Sequence, residues 1–134
     1  MKQCDIDRIA RGSVDSSEIM TLVMSEDDLE QALREFCLRL GLFYYHTHDS
    51  RGSEDGFPDC LIVSEDKAWI IFAELKNQTR KPTFKQASWL RVLGVVASLS
   101  YGRVRVFLWR PSNWISGDIE REIRRSVIIA RDDR

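Results

Sequence analysis

The sequence has few of the residues that define disulfide-rich, fibrous or membrane proteins. Its three cysteines, Cys4, Cys37 and Cys60, are widely spaced and form no CxxC pair, which argues against a disulfide framework or a zinc knuckle. The 7 glycines and 3 prolines show no period. The apolar runs, such as residues 69–73 and 94–97, are far below the roughly 20 residues of a spanning helix, and residues 1–24 show no secretory signal. We therefore expect a protein of a reducing compartment with no membrane segment.

The sequence also has no excess of charge of one sign. Its 20 basic and 21 acidic side chains give a net charge of -1. That balance neither indicates nor excludes nucleic-acid binding, which depends on local clusters of charge. The 134 residues are 43% hydrophobic and 10% aromatic, which is typical of one folded domain and not of a disordered chain.

The chain divides into a short extension and one domain. Residues 1–24 have no clear period, and we expect a mobile or loosely attached extension there, with the domain covering residues 25–134. The domain begins with a predicted helix over residues 25–40, since Ser25 is a suitable N-cap, Asp28 follows three residues later and Gly41 can end the helix. A short strand over 42–45 and a polar loop over 46–58 follow.

Three further strands and two helices complete the pattern. Strands are predicted over residues 60–63, 69–76 and 101–109, and the second of these is apolar on both faces, as in a central buried strand. Thr83 and Gln86 match a capping box for a helix over 84–98. Pro111 ends the last strand, and a terminal helix is predicted over 115–129. The predicted order is α-β-β-β-α-β-α, an α/β fold.

A pair of carboxylates is the strongest chemical signal. Asp59 opens one predicted strand and Glu74 closes the next, at similar distances from the turn near residue 66. Antiparallel pairing places them opposite each other, with Cβ atoms about 4.5–5.5 Å apart. Two ionised carboxylates that close repel each other, and a divalent cation such as Mg²⁺ relieves the repulsion. Lys76 shares a strand face with Glu74 and could stabilise a pentavalent phosphate or help to activate water.

Each of these residues also has an ordinary structural explanation. Asp after Pro is common in turns, a Glu-x-Lys pair at a strand end is usually solvated, and Gln86 is explained by its cap alone. The apolar stripe of the first helix leads back to Glu26, with Glu30 nearer its edge. An acid at Glu26 either points into a polar cavity or simply favours the helix dipole. His46 and His48 form an HxH that lacks a third metal ligand of suitable spacing.

Taken together and in order, the motifs resemble the PD-(D/E)xK nuclease signature. Gly56-Phe57-Pro58-Asp59 supplies its first part and Glu74-Leu75-Lys76 its second. The finer resemblance is to small, stand-alone, phage-type members of the VRR-NUC family, over about residues 25–125. The supporting segments are YHTHDSR at 45–51, FAELK at 72–76, QASWL at 86–90 and Trp109-Arg110-Pro111 with Trp114.

The resemblance implies a restriction-endonuclease-like core with a central mixed β-sheet flanked by helices. It also implies Mg²⁺- or Mn²⁺-dependent hydrolysis of DNA phosphodiesters, with no organic cofactor. By this resemblance the Leu75 carbonyl would join the two carboxylates at the metal, and Glu26 would be the helix acid and a further ligand, with Glu30 as its alternative. Lys76 would orient or activate water, and Gln86 would position Lys76 or the water. The implied catalytic residues are Glu26, Asp59, Glu74, Lys76 and Gln86.

The expected partner is DNA, recognised by its backbone and shape because no base-reading motif is present. Arg80, Lys81 and Lys85 bracket a predicted helix N-terminus, a good setting for phosphate, and Ser50 and Arg51 belong to the same DNA-binding set. The size resembles that of Holliday-junction resolvases, which implies branched DNA, a C2 homodimer and the cytoplasm of a bacterial or phage-infected cell. The alternatives are a nuclease-fold module that binds DNA or a partner without cleavage, and a flap or duplex nuclease of a restriction or recombination system.

Overall fold

The sheet is built from four strands, of which three form an antiparallel meander. The structure is a computed structural model that describes residues 15–47 and 54–125. The strands are β1 (Phe43–His46), β2 (Cys60–Ser64), β3 (Trp69–Leu75) and β4 (Val104–Trp109), arranged side by side in that order. β1 and β3 run antiparallel to β2, whereas β4 runs parallel to β3. The sheet is therefore mixed, with helices alongside, and the α/β prediction is confirmed.

Two capping boxes fix the starts of the long helices. In α2 (Glu26–Arg39) the Ser25 side chain accepts a hydrogen bond from the Asp28 amide, and the Asp28 side chain accepts one from the Ser25 amide, both at 3.0 Å. Gly41 follows α2 at φ +73, a left-handed conformation that favours glycine. The second box, formed by Thr83 and Gln86, starts α3 (Phe84–Ser98). Both helices lie where the sequence predicts them.

The chain after β4 differs from the single terminal helix expected over 115–129. Two short helices lie there, α4 (Pro111–Ile115) and α5 (Asp118–Arg124). Pro111 starts α4, because a first-turn proline needs no N–H and already has a helical φ. Gly117 at φ +85 separates the two helices. Residues 126–129 of the predicted helix lie outside the described residues.

The N-terminal extension contains a helix that the sequence pattern did not reveal. This helix, α1 (Ser16–Val23), is capped by Asp15, whose side chain accepts a hydrogen bond from the Glu18 amide at 2.8 Å. It contacts α4. Residues 1–14 of the expected extension lie outside the described residues.

The main core lies on one face of the sheet. Side chains alternate along a strand, and every second residue of β3, from Trp69 to Leu75, is buried on this face. β2 contributes Cys60 and Ile62, which are paired with Ala73 and Ile71 in the register. The helices supply the opposing apolar side chains, which are Leu29, Leu33, Phe36 and Cys37 from α2 and Ile119 and Ile123 from α5.

The second face of the sheet carries the candidate site. Ile70, Phe72 and Glu74 alternate with the core residues of β3, so they lie on this face. α3 covers the β4 side, where it contacts β4. The β1 side is open, since Phe43 and Tyr45 are 64% and 60% exposed. Among the residues described, no helix is both long enough and apolar enough to cross a membrane.

Leu33→Ala tests the core on the helical face. Leu33 has no exposed surface, and we expect its truncation to lower the free energy of unfolding by about 2–5 kcal/mol, measured by urea denaturation. Leu38→Ala on the same helix is the matched control, because Leu38 is 55% exposed. Equal losses in the two variants would contradict this packing.

Candidate active site

The strand register brings Asp59 and Glu74 together at one end of the β2–β3 pair. Cys60 pairs with Ala73, and one further step outward along both strands places Asp59 opposite Glu74. Asp59 Oδ2 also accepts a hydrogen bond from the Leu75 amide at 2.8 Å. This bond holds the Asp59 carboxylate against the end of β3. The opposed carboxylates predicted from the hairpin are therefore present.

Glu74 is a buried carboxylate with few hydrogen-bond donors near it. Its residue is 1% exposed, and among the described residues neither carboxylate oxygen accepts a hydrogen bond of normal geometry. Lys76 Nζ lies 3.5 Å from Glu74 Oε2, and the Lys76 side chain is itself 4% exposed. Burial raises the pKa of Glu74, repulsion from Asp59 raises it further, and Lys76 opposes both, so that the pKa reaches about 8. These surroundings therefore disfavour the ionised form of Glu74.

A divalent cation fits this pair of carboxylates. The Glu74 carboxylate interacts directly with that of Asp59, and Mg²⁺ is commonly held by one or two carboxylates together with waters. Asp59, Glu74 and the Leu75 carbonyl are the groups available. Within residues 15–47 and 54–125, no group of three or more His, Cys, Asp or Glu side chains is arranged to hold a metal. Glu26 is therefore not brought into the set as a third carboxylate ligand.

The two acids of α2 have separate partners. Glu26 Oε1 accepts hydrogen bonds from the Asn77 amide at 3.2 Å and from Arg80 Nη1 at 3.3 Å. Glu30 Oε1 accepts from Tyr44 Oη and from Arg34 Nε, both at 3.2 Å. Asn77 directly follows Lys76, so Glu26 is the acid that reaches the chain beside the candidate site. Its contacts fix the position of the loop after β3.

Gln86 has a structural contact that accounts for its side-chain oxygen. Its Oε1 accepts a hydrogen bond from the Thr83 amide at 2.8 Å, as part of the capping box. Its position near the site follows from the close approach of Gly56, which has φ +88, to the start of α3. A Cβ added to Gly56 would lie 2.7 Å from the backbone carbon of Lys85 and 2.9 Å from the amide nitrogen of Gln86. The loop that leads to Asp59 thus lies directly on the first turn of α3.

Aromatic packing fixes the same loop to the sheet. The Phe57 ring makes edge contacts with the rings of Phe72 and Trp89, at centroid distances of 6.1 and 5.1 Å. Pro58 is fully buried. The residues just before Asp59 are therefore held between β3 and α3, so the carboxylate is carried on a rigid support.

The basic residues expected to bind DNA have different surroundings. Arg80 is 62% exposed and pairs with Glu26, and Lys85 is 68% exposed with its Nζ 3.5 Å from Asp55 Oδ2. Lys81 is exposed. All three lie on the segment between β3 and the first turn of α3. The remaining two predicted residues, Ser50 and Arg51, lie outside the described residues.

Arg110 is a positioning residue that the sequence reasoning missed. Its Nη1 donates hydrogen bonds to the carbonyl oxygens of Asn77 and Arg80, at 2.7 and 2.6 Å. Gln78 and Ser112 add two more bonds between the same segments. The carboxyl ends of the parallel strands β3 and β4 lie side by side, so a residue just after β4 reaches the loop just after β3. In the sequence, the segment Trp109-Arg110-Pro111 was the only feature that drew attention to Arg110.

Two clefts lie away from the carboxylates. One, of about 290 Å³, is lined by residues such as Leu42, Ser64 and Trp69 at the other end of the β2–β3 pair. The second, of about 480 Å³, lies beside the outer edge of β4 and is lined by Gly94, Ala97 and others. Neither is lined by the candidate catalytic residues. The candidate site is thus a strand end packed against a helix start.

Comparisons of the chain with protein-family models, with curated proteins and with solved structures give no match in any of the three. The resemblance to VRR-NUC nucleases therefore depends on the residues of this chain. Three features support it: the PD…ExK motif in order, the strand register that places its two carboxylates opposite each other, and the burial of Glu74 beside Lys76.

The variant Glu74→Gln tests whether the raised pKa of Glu74 makes the stability of the protein depend on pH. The pKa of Glu74 rises from 4.5 to about 8 in the folded protein, so between these values the unfolded chain loses the proton first. Glu74 therefore contributes most to the free energy of unfolding below about pH 4.5, and this contribution is lost towards pH 8. The free energy of unfolding should fall by up to about 1.4 kcal/mol per pH unit in this range. We expect Glu74→Gln to lack this slope when wild type and variant are unfolded by urea in the presence of a chelator. If the free energies of unfolding of wild type and variant differ by the same amount at every pH, the pKa of Glu74 is not raised in the folded protein.

Gly56→Ala tests the contact between the loop and α3. The positive φ and the close approach to Lys85 predict a loss of about 1–3 kcal/mol in the free energy of unfolding, measured from thermal denaturation. Gly94→Ala is the control, because it lies within α3 with nothing within 4 Å of the added Cβ. That variant should gain about 0.5–1 kcal/mol. If Gly56→Ala left the free energy of unfolding unchanged, the loop would not depend on the close approach of Gly56 to α3.

Proposed function

We propose that this protein is a metal-dependent DNA endonuclease of the VRR-NUC type, within the PD-(D/E)xK superfamily, with a restriction-endonuclease-like core. One observation carries the proposal. Asp59 and Glu74 are opposed at the end of a strand pair, and Lys76 lies 3.5 Å from Glu74 in the same buried site. A purely structural role gives no reason to bury the Glu74 carboxylate and the Lys76 ammonium group beside a second, half-buried carboxylate, because burial of charged groups is costly.

The roles of the residues follow from their positions. Asp59, Glu74 and the Leu75 carbonyl would hold Mg²⁺ or Mn²⁺, which when bound polarises the phosphate and lowers the pKa of the attacking water. Lys76 donates hydrogen bonds to the attacking water or to the phosphate oxygens and so orients them for in-line attack. The buried setting strengthens these charge interactions.

The loop after β3 is held so that Lys76 stays in place. Glu26 bonds to the Asn77 amide and Arg110 bonds to the Asn77 carbonyl, so both sides of this peptide segment are anchored. Glu26 and Arg110 therefore act as positioning residues. Gln86 belongs to the same support through the first turn of α3.

DNA would be bound through its phosphates. Lys81 and Lys85 are exposed on either side of the N-terminus of α3, where the helix dipole and free amides favour anions. Such contacts carry no base information. The proposed substrate is branched DNA, cut by a homodimer with two active sites in the cytoplasm of a bacterial or phage-infected cell.

A cleavage assay with Mg²⁺ or Mn²⁺ tests the proposal. It compares a four-way junction, a flap, a plain duplex and single-stranded DNA. We expect Asp59→Asn and Lys76→Ala each to reduce cleavage by at least about 100-fold, because each removes a charge that acts in the transition state. Lys67→Ala is the matched control, since Lys67 is an exposed lysine at the other end of the same hairpin, and it should retain full activity.

The outcomes separate the alternatives. Paired cuts near the junction centre support the branched substrate, whereas cuts in flaps or duplex keep the nuclease and reject the junction. Tight binding without any cleavage would reject the nuclease in favour of a binding module. Full activity in Lys76→Ala, in a preparation free of other nucleases, would reject the site assignment.

A further inference from the structure

Within residues 15–47 and 54–125, no other element covers the apolar surface that the C-terminal half of α3 exposes. α3 has no buried residue, although a helix that is apolar over most of its circumference is normally buried. Leu90, Leu93 and Ala97 are half-buried on the inner side. The outer side carries large apolar residues that are between 47% and 77% exposed. These residues form what we call the α3 patch: Val92, Val95, Val96, Leu99 and the adjoining Tyr101.

The α3 patch has the spacing of a helix-packing surface. Val92, Val95, Val96 and Leu99 recur at intervals of three and four residues, so they lie on one face of the helix. No charged residue occurs between Arg91 and Arg103. This pattern is typical of a seam that packs against another helix, and Ser98 is the one exposed polar side chain of α3 after Arg91.

The polar side chains around the patch are already satisfied. Ser98 Oγ donates a hydrogen bond to the Val95 carbonyl at 2.7 Å, and Ser88 Oγ, one turn before Val92, donates to the Phe84 carbonyl at 2.9 Å. Neither hydroxyl would lose a hydrogen bond if the surface were covered. Covering the patch therefore gains hydrophobic free energy without leaving a buried polar group unpaired.

The area of the patch suits a dimer interface. The exposed fractions of its five residues correspond to roughly 500 Å² of surface, at the upper end of the patches found on monomers. A stable interface buries about 800 Å² per partner, with an apolar centre and a polar rim. Next to the patch, the small residues Gly94 and Ala97 line the cleft of about 480 Å³ beside β4, which Tyr101 also lines. The patch therefore supplies the apolar centre of such an interface, and the cleft adds further surface beside it.

We propose that the α3 patch binds the same patch of a second copy of this chain, with the two α3 helices antiparallel about a twofold axis. With the axis between Val95 and Val96, Val92 packs against Leu99 of the partner subunit. Arg91 then lies opposite Ser100 of the partner subunit, so the two Arg91 side chains do not repel each other. An uncharged apolar surface is complementary to itself under twofold symmetry, whereas a charged partner would find no opposite charge here. The proposal assigns an interface to the homodimer given in the proposed function, but it is argued from this surface alone, so a protein that does not cleave DNA would leave it intact.

Val95→Glu tests the interface by the molar mass of the full chain. We expect the wild type to be a dimer at micromolar concentration in sedimentation equilibrium. Val95→Glu should be monomeric, with its dissociation constant raised at least about 100-fold, because two like charges would meet near the axis. Val23→Glu is the matched control, since Val23 is 50% exposed on α1, and it should stay dimeric. A monomeric wild type, or a dimeric Val95→Glu, would overturn the proposal.

A cysteine variant keeps the proposal testable if Val95→Glu fails to fold. Val96→Cys places a thiol near the twofold axis, and we expect mild oxidation to give a disulfide-linked dimer. Val23→Cys is the control for random collision. Both variants also carry Cys4→Ser, and the native Cys37 and Cys60 are buried, so no native thiol should link copies of the folded chain. Equal or slower dimer formation by Val96→Cys, compared with Val23→Cys, would overturn the proposed axis.

Discussion

The opposition of Asp59 and Glu74 is the interaction on which the candidate site depends. Two carboxylates meet across an antiparallel register, and the burial of Glu74 limits the screening of their repulsion by water. Lys76 offsets part of the repulsion, yet the pKa of Glu74 is still raised to about 8. The surrounding structure maintains this unfavourable arrangement through the Asp59–Leu75 bond, the packing of Phe57 and the close approach of Gly56 to α3. A site that concentrates charge in this way suits the binding of a cation and the stabilisation of a phosphate.

Local rules predicted the elements that place this site. The capping boxes at Ser25 and Thr83 predicted the starts of α2 and α3, because a capping box satisfies the free amides of one helix turn within a few residues. The β2–β3 hairpin followed from two apolar runs about a short turn, and its symmetry predicted the opposition of Asp59 and Glu74. These features depend on contacts between residues that are near in the sequence or joined by one turn.

Features that depend on distant contacts were not predictable. The anchoring of Asn77 by Arg110 requires β4 to lie parallel to β3, and the pattern of apolar residues does not reveal which strands are neighbours. The helix α1 contacts α4 across most of the chain length, and its own sequence shows no clear period. The break at Gly117 was missed because the apolar spacing continues across it, although its positive φ ends the helix. Glu26 was placed near the site by its helix face, but its partners Asn77 and Arg80 were visible only in the folded protein.

We expect Asp59 and Glu74 to share one divalent cation. A crystal structure of the protein grown with Mn²⁺, with the metal located from its anomalous scattering, tests this directly. We expect a single strong peak within about 2.0–2.3 Å of carboxylate oxygens from both residues, and in reach of the Leu75 carbonyl. At saturating Mn²⁺, a peak elsewhere, or a Glu74 carboxylate paired with Lys76 alone, would show that the two carboxylates do not share a cation.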